Sequence, residues 1–148
     1  MNDYEKMNWH DNHIHSFKIR ESDDDWSGVL EFDIDYILEW HNAENNGFNF
    51  LLAPATLSFY GVADLVITID YSKAPARVGP MMIHEIQREL ESFPNGHSNF
   101  KWNIEMGWPT ESFISFSAST FTQVLCGKPL MSASQYLLYS ERQASLND

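Results

Sequence analysis

The sequence predicts a mainly β fold, an antiparallel meander forming a sandwich or a strongly curved sheet with at most one or two helices. Three observations predict it. Apolar and polar residues alternate with a period of two over long stretches, which places the apolar set on one face of a pleated strand. Clusters of Gly, Pro, Asn and Asp interrupt these stretches where turns are needed. Five Trp, six Tyr and ten Phe are present, and aromatic rings suit a pleated, half-buried surface. The 148 residues have the size of one globular domain, 1–148, which buries roughly 68–70% of its unfolded surface without disulfide or metal staples.

In chain order, His13 to Arg20 reads as a first strand, with Asp11, His13, His15, Phe17 and Ile19 on one side. Glu21 to Gly28 is an acidic turn. Val29 to Trp40 alternates most clearly: Leu30, Phe32, Ile34, Tyr36, Leu38 and Trp40 face one way, and Glu31, Asp33, Asp35 and Glu39 the other. Asn45-Asn46-Gly47 signals a hairpin, because Asn-Gly accepts the positive φ angles of a tight turn. Phe48 to Leu52 follows as a strand. Pro54 has no N–H for a ladder and implies an edge or a bulge. Thr56 to Tyr60 continues the strand, Gly61 to Asp64 turns the chain, and Leu65, Ile67, Ile69 and Tyr71 form the next alternating face.

Two readings stand for 80–92. Ile83, Ile86 and Leu90 have helical spacing after Pro80, and Glu, Gln, Arg, Leu and Met favour helix. Met82, His84, Ile86, Arg88 and Leu90 equally share one face of a strand, which the turn Pro94-Asn95-Gly96 would join to the next as a hairpin. Phe100, Trp102, Ile104 and Met106 alternate with Lys101, Asn103 and Glu105 as a strand. Phe113 to Leu125 is another, ended by Gly127-Lys128-Pro129. The tail 132–142, with Tyr136, Leu137, Leu138 and Tyr139, fits helix or strand.

Charge restricts the partners. The formal net charge is −12, from nine Lys and Arg against 21 Asp and Glu. Such a surface repels phosphate backbones and anionic lipid heads, which excludes nucleic acid and membrane, and it favours salt-sensitive docking onto a basic protein. Surplus acid also serves solubility by itself. Cys126 is the sole cysteine, so an internal disulfide and a cysteine zinc cluster are excluded and a reducing cytoplasm is the natural compartment. The start Met1-Asn2-Asp3-Tyr4-Glu5-Lys6 lacks a secretory pattern, and no apolar run reaches bilayer length.

Four features carry candidate chemistry. In an extended chain Asp11, His13 and His15 point to one side, and with Asp33 and Asp35 on the next strand they would offer imidazole and carboxylate ligands to a metal. The plainer alternative continues His13 and His15 into a core face with Phe17 and Ile19, while Lys18 and Arg20 pair with the carboxylates of the second strand. Asp23, Asp25, Ser27 and Gly28 match the opening half of a calcium loop, but Ile34 stands where a bidentate Glu is required, so a solvated acidic turn fits better. Cys126 has His84 and His97 elsewhere in the chain and nothing to fix a nucleophile's geometry; a small buried apolar residue on a strand is the simpler role. No G-x-S-x-G elbow, phosphate loop, H-E-x-x-H or dinucleotide fingerprint occurs, and Asp33 with Asp35 on one strand makes a poor glycosidase pair. The motifs thus yield neither a catalytic set nor a cofactor. Finally, Trp26 among Asp23, Asp24 and Asp25 combines a charge cluster with an aromatic anchor for a protein partner, although Trp26, Trp40, Trp102 and Trp108 also suit the capping of open ends of a small β domain.

Trp9-His10-Asp11-Asn12 with Ile14-His15, Asp33-Ile34-Asp35-Tyr36-Ile37 with Trp40, and Ala53-Pro54-Ala55-Thr56-Leu57 with Phe59 together resemble a family of small bacterial proteins of similar length to which no activity is assigned, across Trp9 to Leu125. The resemblance implies no catalytic residues. In size and charge the chain is also similar to immunity proteins that neutralise toxins. The expected function is therefore a non-enzymatic protein-binding domain, an immunity-type inhibitor of a basic partner. The alternatives are a metal-binding protein or metal-dependent enzyme using Asp11, His13, His15, Asp33 and Asp35, and a structural or scaffold subunit.

Overall fold

A computed structural model describes residues 4–22, 28–44, 47–73, 77–96 and 98–147. Within them the chain is mainly β, as the alternation predicts. The strands are β1 (His13–Glu21), β2 (Gly28–Asn42), β3 (Phe48–Thr68), β4 (Met81–Ser92), β5 (Ser98–Trp108), β6 (Phe113–Ala118), β7 (Thr120–Leu125) and β8 (Leu130–Ser132). One α-helix, α1 (Tyr139–Asn147), follows them, and a 3-10 turn at Tyr4–Lys6 precedes them. All pairings are antiparallel, in the order β2-β1-β4-β5-β6-β3-β7, and β2 also pairs with β3. The strands β2, β1, β4, β5, β6 and β3 therefore form a ring, so the sheet curls until it meets itself. The seam is short: His13 opposes Met82 and Ile14 opposes Met81. Two backbone bonds extend it, from Asp11 N–H to the Ile83 carbonyl at 2.8 Å and from Ile83 N–H to the Asn12 carbonyl at 2.8 Å.

Inside the ring lies one apolar cluster. Leu30, Phe32 and Ile34 of β2 meet Leu57 and Phe59 of β3, Ile83 and Ile86 of β4, Trp102 and Ile104 of β5, and Phe116 of β6. Trp102 is fully buried and packs edge-on against Phe59 at 4.9 Å and Phe121 at 5.5 Å between centroids, a favoured aromatic arrangement. Trp9 closes the cluster from the N-terminal segment, its indole N–H bonded to Gln123 Oε1 at 2.7 Å. A second, smaller cluster of Ile37, Phe50, Leu52 and Leu137 lies apart from this core.

The structure corrects the sequence expectations at several points, and bulges explain two of them. In β1, Ile14 pairs with Ile34 and Ser16 with Asp33, leaving His15 unopposed. This bulge lets Ile14 and Phe17 both face the core, so His13 and His15 do not continue a face with Phe17, and Ile19 stays 63% exposed. In β4, Ile83 opposes Met106 and Glu85 opposes Glu105, leaving His84 unopposed. Ile83 and Ile86 thereby share the core face three residues apart. A bulged strand thus mimics helical spacing, and Met81–Ser92 is strand, with Pro80 just before it.

Along β2 the expected inward set holds for Leu30, Phe32 and Ile34, while Tyr36 is half-buried and Leu38 and Trp40 are exposed. Asp35, expected toward solvent, is fully buried, because the C-terminal segment covers that face. β3 is one strand: Gly61 (φ 66°) and Asp64 (φ 55°) bend it without reversing it. Opposite that bend, Ser119 interrupts the run from Phe113 to Leu125 and donates its N–H to the Tyr60 carbonyl at 3.0 Å. A Cβ at Gly61 would stand 3.2 Å from Ser119 Oγ. Pro54 is buried in a central strand rather than at an edge. Its carbonyl accepts the Cys126 N–H at 2.8 Å, so its ring nitrogen faces the gap between the β7 and β8 pairings and removes no bond to β2.

Phe32 is fully buried, packing on Phe17 and Phe59. Phe32→Ala should therefore lower the unfolding free energy by about 3–5 kcal/mol, read from urea denaturation. A loss near zero would mean that β2 does not present this face to the core.

Candidate functional site

The five residues expected to hold a metal fall beneath the C-terminal segment. The bulge at His15 turns its ring toward the outer face of β2, where Nε2 lies 2.6 Å from Asp35 Oδ2. The Leu137 N–H donates to the same oxygen at 2.8 Å. Arg142 of α1, itself buried, donates Nη1–H to Asp35 Oδ1 and Nη2–H to Asp33 Oδ1. Asp11, in the left-handed region at φ 65°, accepts the Gln135 side-chain amide at 3.0 Å. His13 uses Nδ1 on the Asp11 carbonyl at 3.1 Å and packs its ring against Tyr136 at 5.0 Å.

His15, Asp33 and Asp35 are thus brought together, and Asp11 and His13 line the same strip. What fills the centre is a guanidinium. A cation bound among these carboxylates would have to displace Arg142, since both oxygens of Asp35 already accept charged or backbone donors. Arg142 is the residue that sequence reasoning missed. The helix α1 buries Arg142 and Ser145 and no apolar side chain, so it lacks the apolar stripe that marks a packed helix. Its remaining ties are polar: Glu141 accepts the Leu138 N–H at 2.9 Å, and Ser145 Oγ donates to the Lys128 carbonyl at 2.6 Å. The Gly127 position fits only because it has no side chain, a Cβ there standing 2.3 Å from Ser145 Oγ.

The expected cross-strand pairing of β1 with β2 is present. Lys18 and Arg20 reach Glu31 at 3.3 Å and 3.1 Å. Burial alone would raise the Glu31 carboxyl, and the hydrogen bonds from Arg20 and Lys18 overcome it and hold the group below its usual range. Cys126 departs from its expected buried place: it is exposed just beyond β7, 3.1 Å from Thr56 Oγ1. Asp23, Asp24, Asp25, Trp26 and Ser27, and with them all of the suggested calcium half-loop but Gly28, lie outside the described residues, as does His97; Gly28 opens β2.

A second surface combines acid with aromatic rings. At the far end of the β2–β3 hairpin, Trp40 is 44% exposed and Phe48 49% exposed. They meet edge-on at 6.0 Å, and Trp40 packs on the buried Phe50 at 4.8 Å. Glu39 and Glu44 are exposed on either side of Trp40 in the chain, Glu39 holding His41 at 2.8 Å. Among the described residues no helix is long and apolar enough to cross a membrane. Comparison with family models, with curated proteins and with solved structures finds no match to this chain.

Arg142→Ala should cost about 3–5 kcal/mol, because it strands a fully buried carboxylate. Adding Asp35→Asn should recover part of that loss in a double-mutant cycle by denaturation; independent, additive losses would contradict the pairing. His13 supplies a pH dependence. Burial lowers its imidazole below the ordinary 6.5, against the opposing pull of the Asp11 carbonyl and the Asp35 charge. The unfolded chain therefore takes up this proton first, so the stability His13 contributes is intact above 6.5 and is lost as pH falls toward the lower folded value. His13→Asn should flatten the decline in unfolding free energy below about pH 6.5; an unchanged decline would assign it to other groups.

Proposed function

We propose that this chain is a non-enzymatic protein-binding domain, an immunity-type inhibitor that covers a basic surface of a protein partner. The observation that carries the reading is the Trp40–Phe48 ledge with its flanking carboxylates. Exposed rings held rigidly on a hairpin lose little freedom on binding and make effective anchors, while the net charge of −12 draws in a basic partner. The acidic segment Asp23, Asp24 and Asp25 with Trp26, which precedes β2 in the chain, brings the same residue types, and its charge would set the association rate. The exposed thiol of Cys126 suits a reducing cytoplasm. Support for a metal-dependent enzyme at Asp11, His13, His15, Asp33 and Asp35 is weaker, because Arg142 already occupies the space between Asp33 and Asp35 and pairs with both.

The test is co-purification with the product of the adjacent gene at low salt, followed by association kinetics across a salt series. Association should slow steeply as salt rises. Trp40→Ala should speed dissociation at least tenfold with little change in on-rate, and replacing Asp23, Asp24 and Asp25 by Asn should slow association. Binding equally fast at high and low salt would refute charge steering, and an unchanged off-rate would remove Trp40 as anchor.

A further inference from the structure

On the outer face of β4 and β5, Glu85 lies directly opposite Glu105. Like charges in that relation repel one another, and among the described residues neither carboxylate has an ion pair with lysine or arginine; Glu85 accepts only the Gln87 side-chain amide at 3.1 Å. The bulge adds a third group. Because His84 has no opposite residue, it stands beside Glu85 instead of alternating away from it, as bulged pairs do. Gly107 on β5 is the matching irregularity: it is skipped between the Met82–Trp108 and Ile83–Met106 pairs. Its missing Cβ leaves room where one would stand 3.0 Å from Met82 Cε and 3.7 Å from His84 Cβ. His10 braces the spot from the N-terminal segment, Nδ1 meeting the His84 carbonyl at 2.8 Å with the two rings edge-to-face at 5.4 Å.

We infer that His84, Glu85 and Glu105 bind a divalent transition metal, zinc being the first choice, on the outside of the β4–β5 ladder. One ligand atom from each of the three lies within 4.8 Å of the others, and all three residues are exposed, so small rotamer changes bring them to zinc bond lengths of about 2.0–2.2 Å. One neutral imidazole and two carboxylates suit zinc. The ion's two positive charges cancel the two carboxylate charges, so binding turns a repulsive pair into an attractive one. Three protein ligands leave a fourth position to water or to a side chain of another molecule. This site is separate from the strip at His13 and His15 and does not depend on the hairpin ledge.

Calorimetry and thermal unfolding of the tag-free protein with zinc chloride test the inference. One zinc should bind in the micromolar range and raise Tm. His84→Ala and Glu105→Gln should each weaken binding at least tenfold and abolish the Tm rise. Glu105→Gln should also raise Tm in the absence of metal, showing that the variant is folded and that the repulsion is real. Magnesium, which keeps its water and prefers an all-oxygen octahedron, should leave Tm unchanged. Absence of zinc heat in the wild-type protein would overturn the site. So would zinc binding that persists in both variants but disappears in His13→Ala with His15→Ala.

Discussion

A carboxylate removed from water requires a proton donor or a cation at its oxygens, or the chain around it will not close. Asp35 is that group here. It sits fully buried in the middle of β2, and its partners come from three distant parts of the chain: His15 of β1, the Leu137 N–H and Arg142 of α1. Satisfying it fixes the rotation of His15, the path of the segment after β8 and the docking of a helix that has no apolar face of its own. Leu137 is carried with them into the small cluster beside Phe50 and Leu52, so the polar ties and the apolar contact act on the same few residues.

The ring of strands imposes a second constraint. A sheet that closes on itself must bend sharply, and bending is concentrated at irregular positions. His15 in β1, His84 in β4, Gly107 in β5 and the Gly61–Asp64 stretch of β3 mark these positions. Two of them carry histidines, and each bulge moves an imidazole from the pleat's alternation to the neighbourhood of a carboxylate: His15 to Asp35, His84 to Glu85 and Glu105. The geometry that closes the sheet is the geometry that gathers its titratable groups on the outer face.

Those two gatherings differ in electrostatic character. Beneath α1 the carboxylates of Asp33 and Asp35 share one internal cation, Arg142, which suits a structural role. On the β4–β5 face the carboxylates are opposed and exposed, and among the described residues no lysine or arginine forms an ion pair with them. The acidic surplus of the molecule, together with the aromatic ledge on the hairpin, belongs to the second kind: surface chemistry directed outward.

The period-two pattern and local turn chemistry by themselves determined the mainly β class, the inward residues Leu30, Phe32, Ile34, Trp102, Ile104 and Met106, the antiparallel pairing of β2 with β3 and the turn at Pro94-Asn95-Gly96 between β4 and β5, because these depend on neighbours in the chain. The pairing of Lys18 and Arg20 with the carboxylates of the second strand was legible because both sets alternate away from the core face of their strands; that Glu31 is the partner was settled by the structure. Four other features were settled only by tertiary structure. They are the strand state of Met81–Ser92, the burial of Asp35, the central place of Pro54 and the function of Arg142. A single bulge converts strand spacing into helical spacing, and no residue type announces it. Whether a carboxylate on the outer face meets water or a guanidinium depends on a segment more than one hundred residues away in the chain, and α1 gives no periodic apolar signal of where it will dock. Long-range contacts of that kind are set by shape and charge in three dimensions, which a one-dimensional pattern does not contain.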